Sequence, residues 1–376
     1  MKRIILITRN LAMGGIQKNT VNLANKLADL DHDVHVVYMK KPLTVKPNKN
    51  VSLHFLDINN INRLSIVGFI YDVFSRIILR PIFPGSSFLW RGVYGSIIFR
   101  IFINHLERAN GKFDLVVARG QGAFEHIWMY NHPNYYQVIV SPIIERKPTF
   151  LSRIYSKALF KNKKIIANSK GVLQTVQNHF TTHHVTPKSL NIIYNPCPIQ
   201  RIKELAEEPA NIPDEPYIVN VARLCPQKNH TLLLEAYKQV NITQKLVIVG
   251  GGDDEAKIKR FASDIGISDK VLFIGQVPNP YPFMKHADLF VLSSMYEGFG
   301  LVIVESLASG TPVVAADCPG GIRDILIEEQ ESLIAKPDVN SLAEKIRFAL
   351  DNPVQIKENW YMRFDITTVA NDFLNL

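Results

Sequence analysis

A chain of 376 residues, 47% hydrophobic and 20% charged, is long enough for two domains with separate cores. That balance excludes fibrous, low-complexity and disordered classes. Three scattered cysteines, Cys197, Cys225 and Cys318, exclude a disulfide scaffold and a structural zinc site, because no pair has the spacing either needs. The net charge of +9 is uneven: residues 1–195 hold 26 Lys+Arg against 9 Asp+Glu, a balance of +17, and the remainder is at −8. Such polarity points to an anionic partner for the first half, whether nucleic acid, a membrane surface or a phosphorylated acceptor. Charge that only keeps the chain soluble is the plainer alternative.

The opening apolar run is broken by Arg9 and Asn10 and lacks a small-residue cleavage site. It reads as a buried first strand, not a signal peptide. Strand patterns follow at Arg3–Thr8, Val34–Tyr38, Val51–Leu56, Asp114–Ala118, Gln137–Ser141, Lys164–Ala167 and Asn191–Tyr194. Between the first two, Gly14–Leu30 carries Val21, Leu23, Ala24, Leu27 and Ala28 at helical spacing. Residues 61–108 depart from this regularity: they are rich in Ile, Phe, Trp and Tyr and studded with Arg63, Arg76, Arg80, Arg91, Arg100 and Arg108. No stretch of about 18 residues there is free of charge, so it does not span a bilayer. It reads either as an interfacial segment on an anionic membrane or as helices packed on the domain core with solvated arginines.

Tyr194-Asn195-Pro196-Cys197-Pro198 breaks the alternation and marks the linker between residues 1–195 and 196–359. A second series begins at Pro216, with strands Tyr217–Val221, Lys245–Val249, Val271–Ile274, Leu289–Leu292 and Pro312–Ala315. Alternating strands and helices predict two α/β domains with parallel sheets, their ligands at the carboxyl ends of the strands.

The stretch Ser294-Met295-Tyr296-Glu297-Gly298-Phe299-Gly300-Leu301 follows the strand Leu289–Leu292 and is expected to open a helix running to about Ser309. Gly298 and Gly300 let backbone approach a ligand, and free N–H groups at the helix start meet phosphate or sugar oxygens. Glu297 and Glu305, as carboxylates, accept hydrogen bonds from sugar or ribose hydroxyls. Val221-Ala222-Arg223-Leu224-Cys225-Pro226-Gln227-Lys228-Asn229-His230 supplies two cations, and Gly250-Gly251-Gly252 ends a strand. Near the start, Met13-Gly14-Gly15-Ile16-Gln17 joins the first strand to its helix. It is not G-x-G-x-x-G, and Met39-Lys40-Lys41 lacks the acidic residue an NAD ribose wants, so a dehydrogenase is disfavoured.

Glu297 and Glu305 match the E-x7-E motif of retaining GT-B glycosyltransferases, and the surrounding text resembles glycosyltransferase family 4. That resemblance implies two Rossmann-like, doubly wound domains facing across a cleft, with a final helix at about 360–376, through Ile366–Leu374, crossing back to the first. It implies that Arg223 and Lys228 hold the donor diphosphate, Glu297 the sugar and Glu305 the ribose. Gly250, Gln276 and Val277 then belong to the nucleotide side, and Gly14 and Gly15 face the phosphates. Gly298, Phe299, Gly300 and Leu301 complete the donor set. Ala222 replaces a usual glycine, and Val140–Glu145 lacks the histidine many members carry, so the acceptor-activating group is unassigned. Arg119, Gln121, Glu125, His126 and Glu145 are candidates for the acceptor side. Asp31-His32-Asp33 falls in a turn expected at the other end of the sheet, and the family generally needs no bound metal or other cofactor.

Asp317–Leu326 resembles bacterial enzymes that use UDP-hexoses or UDP-N-acetylhexosamines in lipopolysaccharide, O-antigen or other lipid-linked glycan synthesis. With the basic first half, the expectation is a cytoplasmic hexosyltransferase resting on the inner face of the membrane, taking a UDP-sugar donor and a lipid-linked saccharide acceptor. A GDP-sugar mannosyltransferase, a UDP-sugar 2-epimerase and a non-catalytic scaffold of the same fold are the alternatives. Nucleic acid is disfavoured, because no recognised binding motif accompanies the charge.

Overall fold

The computed structural model describes residues 1–144 and 147–376. Two compact units divide the chain: Met1–Asn168, Val172–Pro196 and Ile366–Leu376 form unit 1, and Ser169–Gly171 with Cys197–Asp365 form unit 2.

Unit 1 holds a seven-stranded sheet of β1 (Arg3–Leu11), β2 (Asp33–Leu43), β3 (Ser52–Phe55), β4 (Leu115–Arg119), β5 (Tyr135–Ile139), β6 (Lys164–Ala167) and β7 (Ser189–Ile192), in the order β3-β2-β1-β4-β5-β6-β7. Every pairing is parallel. Both faces are covered, and alternate residues supply two separate cores. Ile5, Ile7, Val37 and Val116 belong to one, and Ile4, Leu6, Val36 and Val117 to the other. Burying each such side chain contributes about 1.5–3 kcal/mol. The helix α1 (Gly15–Asp29) turns Val21, Leu23, Ala24 and Leu27 onto the second core.

Unit 2 repeats the plan with β8 (Tyr217–Val221), β9 (Lys245–Val249), β10 (Val271–Gly275), β11 (Leu289–Leu292), β12 (Val313–Ala316) and β13 (Ile334–Ala335), in the order β10-β9-β8-β11-β12-β13. In each unit the order reverses at the first strand, which places a crevice at the carboxyl end of that strand.

The boundary falls between Pro196 and Cys197, inside the expected linker. The return to unit 1 begins at Ile366, not near 360. Residues 359–365 stay with unit 2 because Trp360 and Phe364 are fully buried there and the Cys197 N–H donates to the Phe364 carbonyl at 2.9 Å. The helix Ile366–Leu374 lays Val369, Ala370 and Phe373 into the unit 1 core, and the Tyr136 hydroxyl donates to the Leu376 carbonyl at 2.9 Å.

Residues 58–110 fold as α2 (Ile58–Leu64), α3 (Ile66–Phe74), a π turn at Ser75–Leu79, the short α4 (Arg80–Ile82) and the long α5 (Ser87–Asn110). One part of this segment packs on the core and another is exposed. Through Leu89, Ile98, Phe99 and Ile103, α5 packs on the unit. Along α2 to α4, by contrast, large apolar side chains face solvent: Leu64 is 86% exposed, Ile66 80%, Val67 70% and Ile77 68%. No helix among the described residues is long and apolar enough to cross a membrane.

Candidate functional site

In unit 2 the residues singled out by sequence gather at the carboxyl ends of the strands. After β8 the backbone of Ala222–Leu224 runs against the turn that follows β9. The Ala222 N–H donates to Val249 O at 3.0 Å and the Leu224 N–H to Gly251 O at 3.0 Å. This approach needs glycine. A Cβ on Gly250, whose φ is +142°, would sit 1.9 Å from Ala222 O, and one on Gly252 would sit 2.2 Å from Leu224 O. The glycines therefore set the path of the loop carrying Arg223 and Lys228. Arg223 stands exposed on that loop, and Gln276 is exposed just beyond β10, where its Cβ would lie 3.6 Å from one built on Gly251.

Residues 225–229 are fastened to the segment after β11. The Met295 N–H donates to Gln227 O at 2.8 Å, Gln227 Nε2 to Tyr296 O at 2.9 Å, and Ser293 Oγ to Lys228 O at 2.8 Å. Thus held, Lys228 Nζ lies 2.5 Å from Glu297 Oε1. Ser294 Oγ donates to the same oxygen at 2.6 Å. Glu297 is buried, and a buried carboxylate persists only with such partners. Ser294 stands in the motif stretch, but the sequence assigns it no role: a serine three places before a glutamate carries no signal until the turn is seen.

The expected helix from Gly298 starts later, as Leu301–Ala308. Glu297–Gly300 instead bends without helical structure against the Pro319–Gly321 turn. The Glu297 N–H donates to Pro319 O at 2.9 Å, and a Cβ on Gly320 would come within 1.9 Å of Glu297 O. Gly300 takes a left-handed conformation and caps the helix, leaving the first helical N–H groups at Leu301 and beyond. The Phe299 ring is buried edge-on against Phe364, with centroids 4.9 Å apart, so only its backbone is available to a ligand. Glu305, on the same short helix, is half-buried and lies 3.5 Å from the Tyr281 hydroxyl. Burial first, and then the Glu305 charge, push that phenol well above its usual range. Tyr281 too was absent from the sequence reading. Gly298 and Val277 are half-buried in the same loops.

His230 begins the helix after Lys228 and is buried, with neither ring nitrogen hydrogen-bonded among the described residues. Burial, with Lys228 adding to it, pushes its imidazole down to about 4.

Gly14 and Gly15 belong to unit 1, where they end the β1 loop. Asn10 Oδ1 accepts from Gln17 Nε2 at 2.9 Å and steadies that loop, and a Cβ on Gly15 would meet nothing within 4 Å. Of the acceptor-side candidates, Gln121 and Glu125 line a cavity of 720 Å³ in this unit, and Gln121 Nε2 donates to Glu125 Oε1 at 2.7 Å. Burial raises the Glu125 carboxyl above its ordinary range. His126 does not line this cavity; its Nδ1 lies 2.7 Å from Gly122 O. Arg119 is not a lining residue either. It is buried, it donates to Asn19 Oδ1 at 2.7 Å and Asn195 Oδ1 at 3.3 Å, and its guanidinium lies over the Phe373 ring. Desolvation lowers it to about 10. It ties α1, the linker and the returning helix together. Glu145 lies outside the described residues.

Asp31 takes a positive φ in the turn before β2, and Asp33 pairs with Arg3 at 2.7 Å, which accounts for these acids structurally. Among the described residues, no group of three or more His, Cys, Asp or Glu is placed to hold a metal ion.

Residues 202–363 match the family model described as Glycosyl transferases group 1. Over 359 residues, 94% of this chain and 91% of the relative, the sequence is 26% identical to an N-acetylgalactosamine-N,N'-diacetylbacillosaminyl-diphospho-undecaprenol 4-alpha-N-acetylgalactosaminyltransferase of Campylobacter jejuni. A glycosyltransferase structure from Rickettsia africae superposes with a TM-score of 0.70 at 16% identity, covering 100% of this chain and 97% of that one. Anabaena HepE in complex with UDP-glucose does so at 0.67 and 18%, covering 100% and 99%.

Proposed function

We propose that this chain, a glycosyltransferase with the GT-B fold, moves a hexose or N-acetylhexosamine from a UDP-sugar, with retention, to a lipid-linked saccharide. The observation that carries the reading is the meeting of Lys228, Glu297 and Ser294 on one fastened turn. A leaving nucleoside diphosphate gains charge in the transition state, and preorganised cations lower that barrier. Lys228 and the exposed Arg223 fill that role. The Glu297 carboxylate both fixes the Lys228 ammonium and accepts from a sugar hydroxyl, while Glu305 accepts from the ribose. The N–H groups of Leu301 and Val302, at the start of the helix, face the diphosphate.

In the proposed step the bond from the anomeric carbon to the diphosphate oxygen breaks. The acceptor oxygen bonds to that carbon on the same face, and its proton passes to the departing phosphate oxygen. No protein nucleophile is required, and the proposal includes no bound metal. On the acceptor side, Gln121 and Glu125 hydrogen-bond sugar hydroxyls in the 720 Å³ cavity.

A lipid-linked acceptor is supported by the Campylobacter relative, whose name gives an undecaprenol-linked diphosphosaccharide as its substrate. A UDP donor is supported by the HepE complexes. The exposed apolar side chains of α2 to α4, interspersed with Arg63, Arg76 and Arg80, suit an enzyme seated on the anionic inner face of the cytoplasmic membrane.

Calorimetric titration with UDP and with GDP tests the donor half, and sedimentation with anionic liposomes tests the membrane half. Micromolar UDP binding lost in Lys228→Ala supports the reading. GDP preference redirects the donor to GDP-sugars. Binding of neither nucleotide sinks it.

A further inference from the structure

A second cavity in unit 1, of 380 Å³, has no part in the donor site. Five cations line it: Lys40 and Lys41 from the end of β2, Arg63 from α2, Arg76 from the π turn, and Arg91 from α5. Two carboxylates also reach it, and both are committed elsewhere. Asp57 caps α2, accepting from the Asn60 N–H at 3.1 Å, and Asp72 pairs with Arg76 at 2.6 Å and Arg80 at 3.6 Å. Among the described residues, Lys40, Lys41, Arg63 and Arg91 form no ion pair with a carboxylate. Four cations without an ion-pair partner converge from three separate elements, and with five cations against two carboxylates in its lining the cavity favours a bound anion. The same crowding is felt by Arg80, which burial and the nearby Arg91 charge hold below its ordinary range.

What surrounds the cavity narrows the class of anion. Arg63 is followed directly by Leu64, Ile66, Val67 and Ile70, all strongly exposed. At 380 Å³ the cavity is near the small end of the about 300–1,000 Å³ typical of ligand sites, so it takes a head group and leaves the rest of the ligand outside. A ligand that matches both features carries a phosphate or diphosphate on a long apolar chain. Guanidinium groups suit phosphate, since they bind it in pairs of hydrogen bonds.

We propose that Lys40, Lys41, Arg63 and Arg91 form a clamp for the phosphate of a prenyl-type lipid phosphate, with its hydrocarbon chain lying along α2 and α3. The clamp would hold the lipid end of the acceptor while its sugar extends to the cavity lined by Glu125. This assignment rests on the lipid-linked acceptor proposed above.

The test uses the full chain and three soluble probes: farnesyl diphosphate, inorganic pyrophosphate and UDP. Farnesyl diphosphate is expected to bind, and the exposed double variant Arg63→Gln/Arg91→Gln is expected to weaken it about tenfold or more while UDP affinity stays within about twofold. Ile66→Ser/Ile70→Ser should weaken farnesyl diphosphate and leave pyrophosphate unchanged. Equal affinity of the wild type for pyrophosphate and farnesyl diphosphate overturns the lipid assignment in favour of a free-phosphate site. Displacement of farnesyl diphosphate by UDP overturns it in favour of the donor site. A wild type that binds UDP but no farnesyl diphosphate sinks both the clamp and the lipid-linked acceptor. A double variant that binds it as well as wild type sinks the clamp alone.

Discussion

Lys228 and Glu297 are 69 residues apart in sequence, yet their charged atoms lie 2.5 Å apart on two loops that hydrogen-bond to each other through backbone and side chain. Each is thereby the other's chief electrostatic partner, with Ser294 as a third member. In the proposed role, the Lys228 ammonium is thus held in place before any phosphate arrives.

That coupling has a measurable size. Lys228→Met and Glu297→Gln are each expected to destabilise the protein by about 1–3 kcal/mol, with the double variant losing much less than the sum. Denaturant melts of the four proteins give the coupling energy. An additive result would mean that the pair is not formed in solution. In turnover, Lys228→Met should raise the donor KM, and Glu297→Gln should act chiefly on kcat.

The glycine turn after β9 makes a steric prediction. Gly250→Ala places a methyl group 1.9 Å from Ala222 O at a φ of +142° and should cost more than about 2 kcal/mol. Gly251→Ala meets only Gln276 Cβ at 3.6 Å and should cost less than about 1 kcal/mol. Gly15→Ala enters open space and should leave the melting temperature unchanged. A rise in donor KM in that variant would mark the loop as ligand-facing.

His230 sets a pH limit on stability. Its unfolded value is about 6.5 and its folded value about 4, so the folded state favours the neutral ring. Its contribution is fully present above 6.5, declines as pH falls, and is gone below 4, a loss of at most about 3 kcal/mol. Urea melts between pH 7 and 4 should show this decline, and His230→Leu should flatten it.

Turnover should persist within about twofold after exhaustive treatment with EDTA, since the proposed charge stabilisation comes from side chains and helix N–H groups. Loss of activity restored by a divalent cation would require a metal at the diphosphate.

The sequence exposed the skeleton unevenly. Lys164–Ala167, Tyr217–Val221, Lys245–Val249 and Leu289–Leu292 are strands with the bounds their apolar runs predict, since a strand buried on both faces is written continuously. The two-residue β13 is too short to carry a period, and β5 begins two residues before its expected start, since Tyr135 and Tyr136 already pair with Val116 and Val117. The delayed helix at Leu301 was hidden because the Pro319–Gly321 turn, distant in sequence, fastens Glu297, and Gly300 then takes a left-handed conformation before the helix begins. The motifs assigned to the donor came from family resemblance, not from local pattern. Arg119 misled because its role depends on Asn19, Asn195 and Phe373, which no local pattern brings together.

Unit 1 is assembled from stretches on either side of unit 2, and this orders events on the ribosome. Residues up to Pro196 emerge early, but Val369, Ala370 and Phe373, which complete their core, are made only after all of unit 2. During synthesis the first unit waits with an open apolar socket lined by α1. A nascent chain stalled or cut before Ile366 would leave that socket open. The defect would then appear as aggregation of the first half, although the lesion lies at the other end of the sequence.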